Sequence, residues 1–333
     1  MEMILPSDKF FESSCPYLVG SQLRKRILRQ LWLATQMADT ILILGETGTG
    51  KELVARAIHE FSLRANNPFI PVNCSAVPDS LAESLLFGHE RGAFTDAKNQ
   101  HTGFITQAHT GILFLDEIST LDKSVQAKIL RVLQEREFER LGGKGSIKVD
   151  VQIIAATNEN LKSLADQGKF RLDLFYRLDE VSFITPPLRE RIGDVEELAK
   201  HFIKKFCQKW GLIEPGITDE GLLALQIYHW GGNVRELENR VRGALIHSVE
   251  RKGDLCPEDF RLTGSKRGVV RNAEYNIAIA YEVAERRCIE EALLETKGNR
   301  DKAADLVGIS RASLYRKLKE YGMTSSDRNG HRS

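Results

Sequence analysis

Long apolar runs are the first thing this 333-residue chain lacks. The stretches Ile41–Leu44 and Ile112–Leu115 are far too short to cross a bilayer. The N-terminus carries Glu2 and Asp8 and has no apolar core of a signal peptide, so the chain is expected to stay in the cytoplasm, off the membrane. Cysteine is sparse: five residues, at positions 15, 74, 207, 256 and 288, with no C-x-x-C pair and no Cys/His metal spacing. That excludes a disulfide framework or a zinc finger and leaves reduced thiols. Charge of one sign is missing too: 47 Lys and Arg face 46 Asp and Glu, a net of +1. No whole-chain field points to nucleic acid or membrane, so any basic surface is local. No internal repeat or low-complexity tract is present. The length suggests about two or three domains.

What is present is organised around one stretch. Ile41-Leu42-Ile43-Leu44 runs into Gly45-Glu46-Thr47-Gly48-Thr49-Gly50-Lys51, and a helical pattern follows from Glu52 to His59. Strand, glycine turn and helix in this order make a phosphate loop. Glycines let backbone N–H groups converge on phosphate oxygens, and the helix start adds free donors and its positive dipole end. Lys51 can reach the β- and γ-phosphates. Gly45 and Gly50-Lys51 satisfy G-x-x-x-x-G-K, but Glu52 stands where a Ser or Thr hydroxyl usually meets Mg²⁺.

Further strands are expected at Phe69–Asn73, Gly111–Glu117 and Val149–Asn158. The strand Gly111-Ile112-Leu113-Phe114-Leu115 is apolar on both faces, which implies a parallel sheet covered by helices on each side, an α/β fold. Ligands of such sheets sit at the carboxyl ends of strands, where Asp116 and Glu117 fall beside the phosphate loop. Asp116 can hold Mg²⁺ and Glu117 can polarise an attacking water; a helix cap followed by a first-turn acid is the plainer alternative. Asn158, at the same rim, can orient a water or sense a γ-phosphate, or simply end its strand as a turn residue. Gly92-Ala93-Phe94-Thr95-Asp96-Ala97 is a glycine-flanked polar loop with an aromatic at its tip, which either touches a partner or folds back on its own domain.

Helices are expected over about 21–35 and 124–135 and, beyond Pro186-Pro187, over about 194–210, 219–228 and 234–249. Gly264–Gly268 reads as a linker. The domains follow: a lead over 1–16, an α/β part over 17–187, a helical part over 188–263, a linker over 264–275, a small helical domain over 276–324 and a tail over 325–333. In the last domain a helix over about 277–294 precedes Lys302–Val307, a Gly308-Ile309 turn and Arg311–Lys319, a helix-turn-helix arrangement with Leu314 and Leu318 facing inward. From Lys297 onward nine Lys and Arg face four Asp and Glu. Arg300, Ser310, Arg311, Ser313, Tyr315, Arg316 and Lys317 are candidates for DNA contact; a solvated basic helix is the alternative.

Taken together the motifs resemble the sigma-54-dependent transcription activators of the AAA+ ATPase superfamily, over nearly the whole chain. Gly45–Glu52 is similar to that family's phosphate loop, Gly92–Ala97 to its GAFTGA loop, Leu113–Glu117 to its Walker B strand, Trp230–Leu237 to its lid motif, and the end to a Fis-type helix-turn-helix. The resemblance implies ATP and Mg²⁺ as cofactors, a hexameric ring, upstream enhancer DNA and sigma-54 RNA polymerase as partners. It implies that Phe94 and Thr95 contact the sigma factor, that Asn73 couples Glu117 to the loop, and that Asn158 and Arg235 are the two sensors. Arg171 and Arg177 would act as arginine fingers in the neighbouring site, whereas the residues alone favour surface ion pairs with Asp173 and Asp179. Arg140 would sit in a second loop supporting the first. Asp96 departs from the family's usual glycine and Gly231 from its usual proline. With only about 16 residues ahead of the ATPase part, no receiver domain fits, and control is expected from a separate protein or from expression level. Two other readings stay open: a DNA-binding regulator whose AAA+ part serves mainly oligomerisation, and an AAA+ remodeller of other targets.

Overall fold

The computed structural model describes residues 31–36, 38–94, 97, 99–251, 253–262, 285, 288–289, 292–293, 295–296 and 298–320. The chain divides into two compact units, Met1–Arg261 and Leu262–Ser333.

In the first unit a five-stranded parallel sheet is built from β1 (Thr40–Leu44), β2 (Phe69–Asn73), β3 (Ile112–Asp116), β6 (Gln152–Thr157) and β7 (Val181–Ile184), in the order β2-β3-β6-β1-β7. The apolar strands alternate between two cores. Leu42, Leu113, Leu115, Ile153 and Ala155 enter one hydrophobic cluster, and Ile41, Ile43, Ile112, Phe114, Ile154 and Ala156 the other. A continuous apolar run is what burial on both faces demands. Helix α1 (Lys51–Phe61) places Val54, Ala55, Ala57, Ile58 and Phe61 against the second cluster. Helices α2 (Asp79–Phe87), α3 (Phe104–Gln107), α4 (Lys123–Glu135), α5 (Leu161–Asp166) and α6 (Leu172–Leu178) supply residues to the first cluster.

The parallel α/β expectation therefore holds. β7 is absent from the expected strands; it is a four-residue edge strand in which Phe183 is buried and Ser182 and Ile184 are exposed. The hairpin of β4 (Glu137–Glu139) and β5 (Ser146–Lys148), whose turn carries Gly142, Gly143 and Gly145, is likewise absent from the expected strands.

Three helices follow: α7 (Gly193–Trp210), α8 (Asp219–Ile227) and α9 (Asn233–Arg251). They agree with the expected spans within a residue or two. Trp230 has no exposed surface and donates from Nε1 to Leu225 O at 2.8 Å, with Tyr228 edge-on to its ring at 4.8 Å. Trp230→Ala is expected to destabilise this part by about 3–5 kcal/mol, through the cavity and the orphaned carbonyl. Urea unfolding followed by circular dichroism checks it; a midpoint unchanged from the parent would contradict the packing described.

In the second unit, α10 (Arg300–Val307) and α11 (Arg311–Glu320) are joined through Gly308 at φ 73°. Ile289, Ala292, Ala303, Ala304, Leu314 and Leu318 form its core, so Leu314 and Leu318 face inward as expected. The expected helices over 21–35 and 277–294 lie mostly outside the described residues; 31–35 are helical, as are the described residues from 285 to 293.

Candidate nucleotide site and DNA-reading unit

The phosphate loop leaves β1 and turns into α1. Gly45 N–H donates to Thr157 O at 3.2 Å, anchoring the loop's start to β6. Gly48 has φ 81° and an added Cβ there would lie 2.4 Å from Gly232 O, so a side chain is excluded both by backbone conformation and by space. Gly50, at φ 97°, sets the start of α1. Thr49 Oγ1 donates to Glu46 O at 2.8 Å and meets Thr185 Oγ1 at 2.9 Å.

A cleft of about 410 Å³ opens beside this loop. Thr47, Gly48, Thr49, Gly50, Lys51 and Glu52 line it, with Asp116 and Glu117 from the end of β3 and Arg235 from the first turn of α9. These residues are up to 188 positions apart in sequence, and the sheet's carboxyl edge brings them to one opening. Lys51 is buried and its Nζ donates to Gly45 O at 2.8 Å and Glu46 O at 3.3 Å. Burial pulls the Lys51 ammonium below its ordinary pKa, against the opposing pull of Asp116 and Glu117. Burial likewise pushes the Asp116 carboxyl up, with the Lys51 charge acting the other way. Asp116 Oδ1 accepts the Glu117 N–H at 3.0 Å, and Glu117 sits at φ 54°, turned out of the strand line.

Asp116 and Glu117 supply oxygen donors of the kind Mg²⁺ takes together with substrate phosphates. No cluster of three or more His, Cys, Asp or Glu suited to a metal alone occurs among the described residues. The donor set therefore fits a metal shared with a polyphosphate and not one caged by protein. Glu52 offers no hydroxyl; it pairs with Arg56 at 2.8 Å one turn along α1.

The other predicted residues are placed as follows. Asn158 Nδ2 donates to Thr47 Oγ1 at 3.3 Å, touching the loop tip. Asn73 pairs in register with Asp116 across β2 and β3, and its Oδ1 accepts from Ser75 N–H at 3.0 Å, capping the turn that follows. Arg171 and Arg177 do not line the cleft. Arg171 is paired with Asp173 at 2.6 Å, and Arg177 donates to Leu133 O at 3.3 Å. Glu46 is not among the residues lining the cleft; its carboxylate accepts from Arg189 at 2.8 and 2.5 Å and from Asn233 Nδ2 at 3.1 Å. Arg189, Arg191 and Asn233 are the residues sequence reasoning missed. The available signals were an Arg-Glu-Arg directly after Pro186-Pro187-Leu188 and an Asn at a helix start.

The aromatic loop closes on itself: Gly92 N–H donates to Ala97 O at 2.8 Å, and Ala97 N–H to Phe94 O at 3.0 Å. Phe94 is 40% exposed and packs against His89 at 4.9 Å. The turn after β4 supports it: Arg140 pairs with Glu90 at 2.8 Å, and a Cβ on Gly142 would meet Ala93 Cβ at 2.8 Å. Thr95 and Asp96 lie outside the described residues.

In the second unit Asn299 caps α10 through Lys302 N–H, and Ser310 caps α11 through Ser313 N–H at 3.2 Å. Arg300 stacks over the Tyr315 ring at 5.4 Å, Arg311 pairs with Asp301 at 3.2 Å, and Lys317 pairs with Glu285. Arg316 and Tyr315 are exposed.

Comparison with known proteins follows these features along the chain. Residues 18–184 match the sigma-54 interaction domain, 189–266 the AAA+ ATPase lid domain, and 281–321 the Fis family of bacterial regulatory proteins. The regulatory protein AtoC of Escherichia coli (strain K12) is 46% identical over 294 residues, covering 86% of this chain and 64% of AtoC. The DNA-binding transcriptional regulator NtrC of Rhizobium meliloti (strain 1021) is 38% identical over 344 residues, covering 94% of this chain and 71% of that protein. The chain thus spans less than two thirds of AtoC. A solved structure of NtrX from Brucella abortus in complex with ATP superposes with a TM-score of 0.69 at 34% identity, covering 92% of this chain and 69% of NtrX.

Proposed function

Because the chain belongs to the sigma-54 interaction-domain family of AAA+ proteins, we propose that it is a cytoplasmic, ATP-hydrolysing transcription activator. It binds upstream DNA through its Fis-type unit and, as a hexameric ring, opens the closed promoter complex of sigma-54 RNA polymerase. The observation that carries this reading is the convergence of Lys51, Asp116, Glu117 and Arg235 on one cleft beside a glycine-rich loop.

The loop amides and Lys51 hold the phosphates of ATP. Asp116 holds Mg²⁺, which neutralises phosphate charge when bound. Glu117 orients and deprotonates the water that attacks the γ-phosphorus; the bond to the β,γ-bridging oxygen breaks and ADP leaves. Arg235 from α9 and Asn158 beside Thr47 meet the terminal phosphate. Arg171 and Arg177 act on the site of the next subunit, which suits their position outside their own cleft. An arginine supplied from a neighbour is worth roughly 10³–10⁵ in rate. Gly92–Ala97, with Phe94 and Thr95 at the tip, carries the resulting movement to the sigma factor.

A reconstituted transcription assay tests the whole reading. Purified chain, ATP and sigma-54 polymerase are expected to give open complexes, with none from a polymerase carrying another sigma factor. ATP hydrolysis without promoter opening would instead favour the oligomerisation or other-target readings. For the DNA unit, Arg316→Ala is expected to weaken DNA binding by about tenfold or more and to lower the dependence of log affinity on log salt by about one. Titrations at several salt concentrations check it; an unchanged affinity would remove Arg316 from the interface.

A further inference from the structure

Every loop residue from Glu46 to Thr49 is bound either by the segment ahead of α7 or by the start of α9. Arg189 takes both Glu46 carboxylate oxygens. Asn233 Nδ2 donates to Glu46 Oε2 at 3.1 Å and to Thr47 O at 3.0 Å, while its Oδ1 accepts Leu188 N–H at 2.8 Å. Val234 and Arg235 N–H groups donate to Gly48 O at 2.9 and 3.4 Å. Arg191 Nη2 donates to Thr49 O at 3.0 Å. Asn233 is fully buried, at φ 52°, a conformation asparagine tolerates better than most residues. Among these ties the one that joins two opposite charges is Glu46 with Arg189.

We infer that Glu46 is a positioning residue: through Arg189 it fixes the phosphate loop to the segment ahead of α7 and through Asn233 to the start of α9, so that a change at the loop on nucleotide exchange moves Arg235 and the helical part with it. The inference rests on the ATP-hydrolysing reading above. The planar guanidinium fork fixes direction as well as distance, which a lysine point charge cannot do. The side chains are about one third (33%) and under one half (44%) exposed, so the pair contributes little to folding stability, and its geometry is what it supplies. The Arg189 hydrogen bonds and, after them, Asn233 hold the Glu46 carboxyl down to about 2. The pair is therefore fully intact above the ordinary carboxylate pKa and is lost only as pH falls from there through about 2, well outside working conditions.

The test uses the full chain with Trp32→Phe and Trp210→Phe, which leaves Trp230, three residues before Asn233, as the one tryptophan of the original three. In this parent, fluorescent ADP is expected to bind and unlabelled ADP to change Trp230 emission. Glu46→Gln is expected to raise the KM for ATP by about tenfold and to lose at least about half of the emission change at saturating ADP. Its thermal midpoint is expected to stay near the parent's. Arg189→Lys, which keeps the charge and gives up the fork, is expected to do the same, and it carries the test where Glu46→Gln does not fold. The double variant is expected to be no worse than either single one, because both break one contact. An undiminished emission change with an unaltered KM overturns the inference. A parent chain that binds no nucleotide instead overturns the ATP-hydrolysing reading and the inference with it.

Discussion

Lys51→Ala is expected to reduce ATP turnover by at least about 10³ and to abolish promoter opening while leaving the fold in place. The magnitude follows from what the ammonium does. Removing a single preorganised donor to developing charge costs roughly 10²–10³ in rate, and Lys51 also carries full charge in a confined site. It is the cation set against Asp116 and Glu117, and both carboxylates pull on its titration. Without it, two acids would face a polyphosphate with one charge fewer to offset them. The fold is expected to survive because the ammonium's own bonds go to two loop carbonyls, Gly45 O and Glu46 O, and the loop keeps its other ties to β6 and α9. Phosphate release measured over a range of ATP concentrations, with thermal unfolding alongside, checks both halves. A variant that turns over ATP at the parental rate would end the assignment of this cleft as the hydrolytic site.

The parts of this arrangement differ in how plainly they are written in the chain. The sheet and the loop are legible because their signals are local. β1 and β3 are apolar on both faces, and a glycine turn with Lys51 directly follows the first of them. Asp116 and Glu117 could be joined to that turn on the rule that ligands collect at the carboxyl ends of parallel strands. β7 escaped because it is four residues at a sheet edge with Phe183 alone buried, and no run of alternation is long enough to register. The tie between Glu46 and Arg189 spans 143 positions and that between Glu46 and Asn233 spans 187, distances at which no periodicity speaks. Family resemblance placed Glu46 in a phosphate-binding loop but gave no reason for its side chain to face the helical part. Arg171 shows the converse. Its residues alone pointed to an ion pair with Asp173, and that pair is present at 2.6 Å; the proposed role in a neighbouring site comes from resemblance, and one chain by itself holds no such neighbour.

Phe94→Ala is expected to separate the motor from its target: ATP turnover within about twofold of the parent, and promoter opening at sigma-54 promoters lost. The structure makes this division physically reasonable. Phe94 does not line the cleft, and it is 40% exposed on a loop whose base is closed by Gly92–Ala97 and Ala97–Phe94 hydrogen bonds. Its contact within the described structure is edge-on with His89 at 4.9 Å, so truncation removes apolar surface and one ring contact, with little cost to a core it does not enter. The loop itself stays positioned, because Glu90 is held by Arg140 and Gln100, and Ala93 packs on Gly142. An exposed aromatic on a braced loop is a means of passing movement to a second protein, where burial of a large ring supplies much of the grip. The companion change Asp96→Gly restores the residue common at that position in similar loops and removes one negative charge per subunit. If the loop meets the sigma factor, Asp96→Gly is expected to raise promoter opening or leave it equal, in the same assay in which Phe94→Ala abolishes it. Should Phe94→Ala open promoters as well as the parent, the loop would not be the contact, and the chain's ATPase would have to act on the polymerase through another surface.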